Sequence, residues 1–448
     1  MARIDYLDFD INIWSDEGGY RAQVTSPSGN SGIVTLQPFA DASQLENLLL
    51  RLELAVERGR VVHRGPLSQE ERLIQDFGRA LFNMVFRQSP QISDLLAKSA
   101  MAAQQGPNIQ GLRLRLRINA PELAMLPWEY VYDQAQEEYL CLRYQSPLVR
   151  VLDVPEPIKP LEVRGPLNIL GMVVDNPGPD WTPLDADKER RTIEAAIGNL
   201  ESENQIKFRW VQGTTPQHLL EAMQQDSWHV FHFIGHGGVA DIGDDKNDAT
   251  AYDAVHDGLG TIADGNRRSH TDGFVVLSDG AGGARPVYAN ELRLLLQGDG
   301  SLRVAILNCC DSARGDRVNT FASPAAALVR SGIPAVVAMQ FPITDAGAIS
   351  FAANFYKAIA RNDTIEKAVT FARLAMRFDS KVEWAIPVLF TRSGSGKLFA
   401  KVRPKAAPSR SELKGQPVDV PAQIAERRIA QDQEAGRRAL RRLYGYEG

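Results

Sequence analysis

Apolar and polar positions alternate along residues 4–37, where Leu7, Phe9, Ile11 and Ile13 interleave with Tyr6, Asp8, Asp10 and Asn12 ahead of the turn-forming run SPSGNSG. A period of two is the signature of strands with one covered face. From about Ser43 the period lengthens, and LENLLLRLELAVERG lays its apolar residues along one side of a helix. Ser68 and Glu71 then have the spacing of a capping box, opening a second helix through Leu73, Phe77, Leu81 and Met84. Two helices are therefore expected after the strands. Period two returns in GLRLRLRI, with Leu112, Leu114, Leu116 and Ile118 facing one way and Arg113, Arg115 and Arg117 the other. The arginine row reads either as the solvated face of a strand or as a basic docking strip.

From about Leu167 the texture changes to continuous apolar runs, LNILGMVV, IKFRWVQ, WHVFHFI, GFVVLSD, LRVAILN, IPAVVAMQ and WAIPVLF. Amphipathic stretches over 185–197, 216–224, 289–296, 324–329, 345–360 and 364–378 fall between several of them. Such alternation predicts an α/β domain with a mostly parallel sheet flanked by helices. The organisation expected is a smaller α+β N-terminal domain over 1–110, an α/β domain over 111–400 with its core at 165–398, and a linker and basic helical tail over 401–448. The tail carries Arg427, Arg428, Arg437, Arg438, Arg441 and Arg442, and reads as a solvated helix or as a dock for an acidic partner. Residues 239–272 read as a long polar loop, with Arg267 and Arg268 in the run NRRS. It is either a mobile loop without a role or a shield over a nearby site.

Composition narrows the classes. The 448 residues, 44% hydrophobic and 23% charged, suit a globular chain of two or three domains. A net charge of -5 gives no global reason to bind nucleic acid or an anionic membrane directly. Three cysteines, two of them adjacent, argue against a disulfide framework and for a reducing compartment. MARIDYLDFDIN has acidic residues where a signal peptide needs an apolar core, and no run approaches the length of a membrane span. The expected location is the cytoplasm.

Two of the apolar runs end on reactive side chains: WHVFHFI runs into GHGG, and LRVAILN into CCDSA. In parallel sheets working residues sit just beyond the carboxyl ends of the strands. Two such ends side by side bring an imidazole and a thiol together, the minimum set for thiolate attack on a carbonyl. An imidazole lowers the thiol pKa, ordinarily about 8.5, and later protonates the leaving amine. Gly235, Gly237 and Gly238 are expected to leave room for a substrate backbone, and the N–H groups of Gly237 and Cys310 to form an oxyanion hole. Alternation gives Cys309 and Cys310 opposite faces, so Cys310, the residue that leaves the strand, is expected as nucleophile and Cys309 as a buried small side chain. His232 and His236 lie four apart, as a zinc pair on a helix would. This stretch is a strand, however, and no third ligand accompanies them, so no metal is expected. His232 then reads as a core histidine with a hydrogen-bonded ring, and Trp228, Phe231 and Phe233 as core. Arg314 is too close to either cysteine for the five-residue loop of a cysteine phosphatase.

The GHG segment and ILNCCDSA resemble the CHAT-domain subgroup of caspase-like cysteine peptidases, which is related to separase. From about Leu112 to Ala400 the segments LPWEYVYD, YQSPLVRVL, TPLDADKERRTI, AVVAMQFPITDAGAISFAANFYKAIA and EWAIPVLFTRSGSGKLF look like bacterial CHAT proteins. The resemblance implies a caspase-like fold, a dyad of His236 and Cys310, and endopeptidase activity without metal or organic cofactor. It departs at Cys309, where relatives often carry a small residue such as alanine. The separase-like relatives have a V-T-D segment where this chain has FPITD, which implies Asp345 as the floor of the first specificity pocket, selecting arginine or lysine. Asp345 equally reads as the cap of a helix beginning after Thr344. Asp311 is an alternative carboxylate, or a solvated loop residue. The implied role is regulated cleavage of a partner protein in a bacterial signalling or antiphage system. A protein substrate and a regulatory protein partner follow from it, and oligomerisation is left open. The competing class is a non-catalytic scaffold or interaction module.

Overall fold

The computed structural model describes residues 5–60, 67–105, 110–152, 159–179, 181, 183–242, 270–309, 322–330, 332–392, 394 and 396–401. Its strands are β1 (Asp5–Asp16), β2 (Gly19–Ser26), β3 (Gly29–Leu36), β4 (Gln110–Ile118), β5 (Tyr132–Asp133), β6 (Glu138–Tyr139), β7 (Leu148–Leu152), β8 (Leu161–Val163) and β9 (Leu167–Val173). They continue with β10 (Ile206–Trp210), β11 (Val230–Ile242), β12 (His270–Ser278), β13 (Ala284–Tyr288), β14 (Val304–Cys309), β15 (Ala335–Met339), β16 (Pro387–Arg392) and β17 (Phe399–Lys401). The helices are α1 (Ala42–Arg58), α2 (Gln69–Phe82), α3 (Pro90–Gln104), α4 (Pro121–Ala124), α5 (Ala186–Ser202), α6 (Pro216–Met223), α7 (Ala289–Leu295), α8 (Ala322–Arg330), α9 (Asp345–Ala360) and α10 (Ile365–Asp379).

One sheet runs β10-β9-β11-β14-β15-β16-β7-β4-β1-β2-β3, with β12 and β13 attached through β11. Every pairing from β10 to β15 along it is parallel, and so are those joining β16, β7, β4 and β1. This is the expected α/β architecture of a mostly parallel sheet flanked by helices. Residues 1–110 contribute β1–β3 to that same sheet, because β1 pairs with β4 along its length from Asp5 beside Gln110 to Ile13 beside Ile118. Met1–Lys401 form one compact unit and Val402–Gly448 a second, which lies outside the described residues together with the arginines of the tail.

Burial on both faces dictates the sequence of the central strands. Val230 and Ile234, Val304 and Ile306, and Ala335, Val337 and Met339 pack into the layer that holds α5, α9 and α10. The intervening Phe231, Phe233, Ala305, Leu307, Val336 and Ala338 pack into a second layer with α6, α7 and α8. Helix starts follow local chemistry. The Ser68–Glu71 capping box is present, and Thr215 and Thr364 cap α6 and α10 through their hydroxyls.

Three features depart from the sequence reading. A third helix, α3, follows α2, capped by Ser89 with Pro90 at its first position. The stretch 239–272 is not all loop: Val239–Ile242 pair antiparallel with residues 270–273 of β12. Antiparallel pairing requires no continuous apolar run, so the polar composition of these ends does not mark them as strand. Residues 243–269, with Arg267 and Arg268, lie outside the described residues.

The third departure concerns the arginine row of β4, which is neither a docking strip nor a solvated face. Arg113 is 5% exposed, donates to Asp8 at 2.7 Å and pairs with Glu366, itself 2% exposed. Arg115 reaches Asp8 at 2.8 Å and Asp10 at 3.3 Å. Glu366 belongs to α10, so a partner 253 residues away converts a polar strand face into an internal one. Burying two charges is tolerable only when each neutralises the other. The Arg113→Met variant, which strands the Glu366 carboxylate, should lose roughly 3–5 kcal/mol in urea unfolding. The pair Arg113→Met with Glu366→Leu should recover most of that loss, and a double variant as unstable as the single one would contradict this account.

Candidate active site at the carboxyl ends of β11 and β14

The register of two neighbouring strands sets the site. β11 and β14 pair in parallel from Val230 beside Val304 to Gly235 beside Cys309. His236 is the next residue of β11, only 3% exposed, and there the strand exchanges its parallel neighbours for antiparallel β12, with His236 opposite Val276 and Gly237 opposite Val275. The loop between β9 and α5 covers the imidazole. Its Trp181 ring lies 5.2 Å from that of His236, at 41°, and Trp181 is 8% exposed. The loop is tied at both ends, by Val174 donating to the Ile234 carbonyl at 2.9 Å and Leu184 to that of Asp175 at 2.7 Å.

The glycines beside the histidine serve packing at two positions. A Cβ on Gly235 would lie 2.7 Å from the Phe233 ring, and one on Gly238 would lie 2.7 Å from the Phe274 ring. The space expected for a substrate backbone at Gly235 and Gly238 is filled by the chain's own aromatic side chains.

Alternation separates the cysteines. Cys309 is 2% exposed and packs with Ala305 and Leu307 in the layer of α6, α7 and α8. His236, two steps on from Ile234, falls at the register of the opposite face, which Val230, His232 and Ile234 share. Cys310 and Asp311 lie outside the described residues.

Asp345 opens α9, but the cap is Thr344, whose hydroxyl accepts from the Gly347 N–H at 3.1 Å. Asp345 is thus spared the capping task. It is half-exposed and paired with Lys188 in the first turn of α5. The adjacent Glu189 carboxyl is raised above its ordinary range, first by burial and then by the charge of Asp345. The segment that carries Asp345 away from β15 is held from several sides. Gln340 donates to Glu129 at 3.1 Å and to the Ala385 carbonyl at 2.8 Å, and Arg60 donates to the Pro342 carbonyl at 2.9 Å. Glu383, 3% exposed, accepts from the Thr344 N–H at 3.0 Å and hydroxyl at 2.9 Å, with Arg60 at 3.4 Å.

Sequence reasoning passed over Trp181, Arg60, Glu383 and Asn308. Only Trp181 had a usable signal, the Pro- and Gly-rich loop NPGPDWTPLD directly after an apolar strand, where α/β folds place ligand-binding loops.

Among the described residues, no group of three or more His, Cys, Asp or Glu side chains is arranged to hold a metal ion. No described helix is long and apolar enough to cross a membrane. These features define an α/β protein whose candidate site lies on the rim where parallel strands end. The chain belongs to the CHAT-domain family, which matches residues 75–417 and so begins within α2. No curated protein matches it. Two crystal structures of the Saccharomyces cerevisiae separase-securin complex are similar over 89% and 88% of this chain, at 11% and 12% identity with TM-scores of 0.44 and 0.42. The chain spans 30% of each of those proteins.

His232, four residues before His236, has the core role expected of it. It is 2% exposed, its Nδ1 lies 2.8 Å from the Tyr356 hydroxyl, and burial pushes its pKa down to about 4. The native state therefore refuses a proton that the unfolded chain accepts below about pH 6.5. Stability is unaffected above that pH and falls as pH drops from about 6.5 towards 4. This term alone should remove about 2 kcal/mol between pH 7 and pH 5. Urea midpoints at the two pH values should show it in the wild type, and a His232→Gln variant should lose correspondingly less on acidification. Equal acid sensitivity in the two proteins would assign it elsewhere.

Proposed function

We propose that the chain is a cysteine endopeptidase of the CHAT type, in which His236 and Cys310 form the dyad. The β11–β14 register carries this reading. His236 lies one residue beyond Gly235, and Cys310 is bonded to Cys309, which pairs with Gly235. A trans peptide fixes consecutive Cα atoms about 3.8 Å apart, so the chain position after Cys309 is close in sequence to the strand pair that carries His236, which supports the pairing of the two. Cys309 points into an apolar layer and is the wrong residue for the task.

The chemistry follows from the residue types. His236 takes the proton of Cys310, and the thiolate attacks the peptide carbonyl carbon. The N–H groups of Gly237 and Cys310 receive the negative charge that forms on oxygen. The C–N bond breaks as His236 returns its proton to the leaving amine, and water, deprotonated by the same imidazole, hydrolyses the thioester. This route uses no metal or organic cofactor. Asp345 selects a basic side chain before the scissile bond, and an incoming guanidinium displaces the Lys188 ammonium from it. Asp311 is the alternative carboxylate. Displacement is cheap, because an ion pair so open to solvent is weak. The role is regulated cleavage of one partner protein in a bacterial signalling or antiphage system, in the cytoplasm, under control of a regulatory protein. A second reading, a non-catalytic interaction module, draws on the near-complete burial of His236 under Trp181.

Comparison of new protein N-termini formed by active and variant chains, incubated with their neighbouring gene products, separates the readings. Cys310→Ala and His236→Ala should each abolish cleavage without unfolding the protein, Cys309→Ala should retain it, and the double dyad variant should be no worse than either single one. Turnover surviving in Cys310→Ala would sink the dyad, and a silent wild type with every partner supplied would favour the scaffold.

Specificity has its own test. Asp345→Asn leaves a bound guanidinium without its counter-charge and should lower cleavage after arginine by roughly 30-fold or more. Peptide-library profiling decides it: an unchanged preference in the variant removes Asp345 from the pocket.

A further inference from the structure

Asn308 is a polar residue that the fold has no use for. It sits in the middle strand of a sheet buried on both faces, 6% exposed, and its Oδ1 has no hydrogen-bond partner among the described residues. Its position is level with Ile234 on β11. By alternation from Val304 and Ile306 it faces the layer of α5, α9 and α10, so an apolar side chain would fit the surroundings better. A buried acceptor left unpaired costs about 1–3 kcal/mol, and an orphan of this kind in a native structure marks strain kept for a purpose. His232, on the same face and buried as deeply, has its Tyr356 hydroxyl.

Position supplies the purpose. Asn308 and His236 share a face on adjacent strands, offset by two residues, the diagonal relation whose Cα atoms lie about 7–8 Å apart and whose side chains come within reach of one another. Asn308, on β14, also stands two residues before Cys310 in the sequence. We propose that the Asn308 carboxamide is a positioning residue for the dyad, its oxygen accepting a hydrogen bond from the His236 ring N–H when the site is engaged. The inference rests on the peptidase reading of His236 and Cys310. The carboxamide then fixes which ring nitrogen carries the proton and turns the other towards the thiol, the orienting task of the third member of a nucleophile–base–orienter set. Hydrogen bonds of this kind are commonly long in the resting enzyme and tighten when substrate binds. No bond is made or broken at Asn308 itself.

The test exploits the opposition between folding and function. Asn308→Leu replaces the orphan with an apolar side chain of similar size, and should leave the urea midpoint unchanged or raised. It should also lower kcat about 10- to 100-fold, with KM within about twofold, because an imidazole held in the wrong orientation slows the chemistry rather than binding. Asn308→Asp keeps an acceptor and should retain more activity than Asn308→Leu. The rate at which iodoacetamide alkylates Cys310, read by peptide mass spectrometry on the full chain, needs no substrate and should fall about tenfold in Asn308→Leu. A wild type that cleaves while Asn308→Leu keeps its kcat overturns the inference and leaves the peptidase reading standing. A wild type that never cleaves overturns the peptidase reading, and the alkylation rates then judge the carboxamide alone, equal rates counting against it. A clear loss of stability in Asn308→Leu would make the amide a structural element and overturn the inference directly.

Discussion

The parallel pairing of β11 with β14, Gly235 beside Cys309, is the constraint on which the rest of the molecule turns. A sheet covered on both faces gives every residue of its inner strands a choice of two apolar layers and no solvent. Val230, Val304 and Ala335 go one way, and Phe231, Ala305 and Val336 the other, with no polar side chain among them. Chemistry has to wait until the strands run out, and in parallel strands they run out along one rim. The same alternation places Cys309, which completes the row of Ala305 and Leu307 in the second apolar layer.

Around that apolar frame, buried charges do the tying. Arg113 of β4 meets Glu366 of α10, and Arg150 of β7 donates to Glu129 at 2.7 Å and 3.2 Å while Gln340, just past β15, shares the same carboxylate. Arg60, from the end of α1, and Glu383 grip Pro342 and Thr344. Such pairs do not add much stability over apolar residues of equal size, but breaking one leaves a buried charge behind. Their effect is to make the assembly all or nothing. The first hundred residues belong to the same compact unit as the strands of the rim, although the family match begins only inside α2.

What the sequence disclosed follows the same division. Periodicity of apolar residues is local, and it located the central strands and the flanking helices, as the spacing of Ser68 and Glu71 located one capping box. It misjudged β4, because an arginine row reads as solvated until Glu366, far along the chain, covers it. It misjudged Gly235 and Gly238 for a similar reason. Their missing side chains make room for Phe233 and Phe274, neighbours that a list of glycines does not reveal. Helix α3 was available from Ser89 and Pro90 and went unread. His236 is expected at a strand end, but β11 runs on to Ile242; what ends at the glycines is the parallel pairing, and the strand continues against β12. The cover of Trp181, and an Asn308 Oδ1 without a hydrogen-bond partner among the described residues, are facts of three-dimensional packing with no periodic trace.

His232 and His236 make the point within one strand. Both are nearly fully buried, both belong to β11, and alternation assigns both to one face. Depth in the sheet separates them. His232 lies where β9 and β14 flank it at Gly171 and Ile306, and a helix-borne hydroxyl at 2.8 Å meets its ring while burial keeps it neutral. It is a fastener between sheet and α9, and burial keeps it from taking up a proton. His236 lies one residue beyond the parallel ladder, where the neighbours change to a hairpin and a loop aromatic. Four residues along a strand thus carry a side chain from inside the parallel ladder to its margin, where a hairpin and a loop aromatic are the neighbours. The spacing of four, which would suit a zinc pair on a helix, here holds two histidines in different surroundings, and the end of the ladder is what separates them.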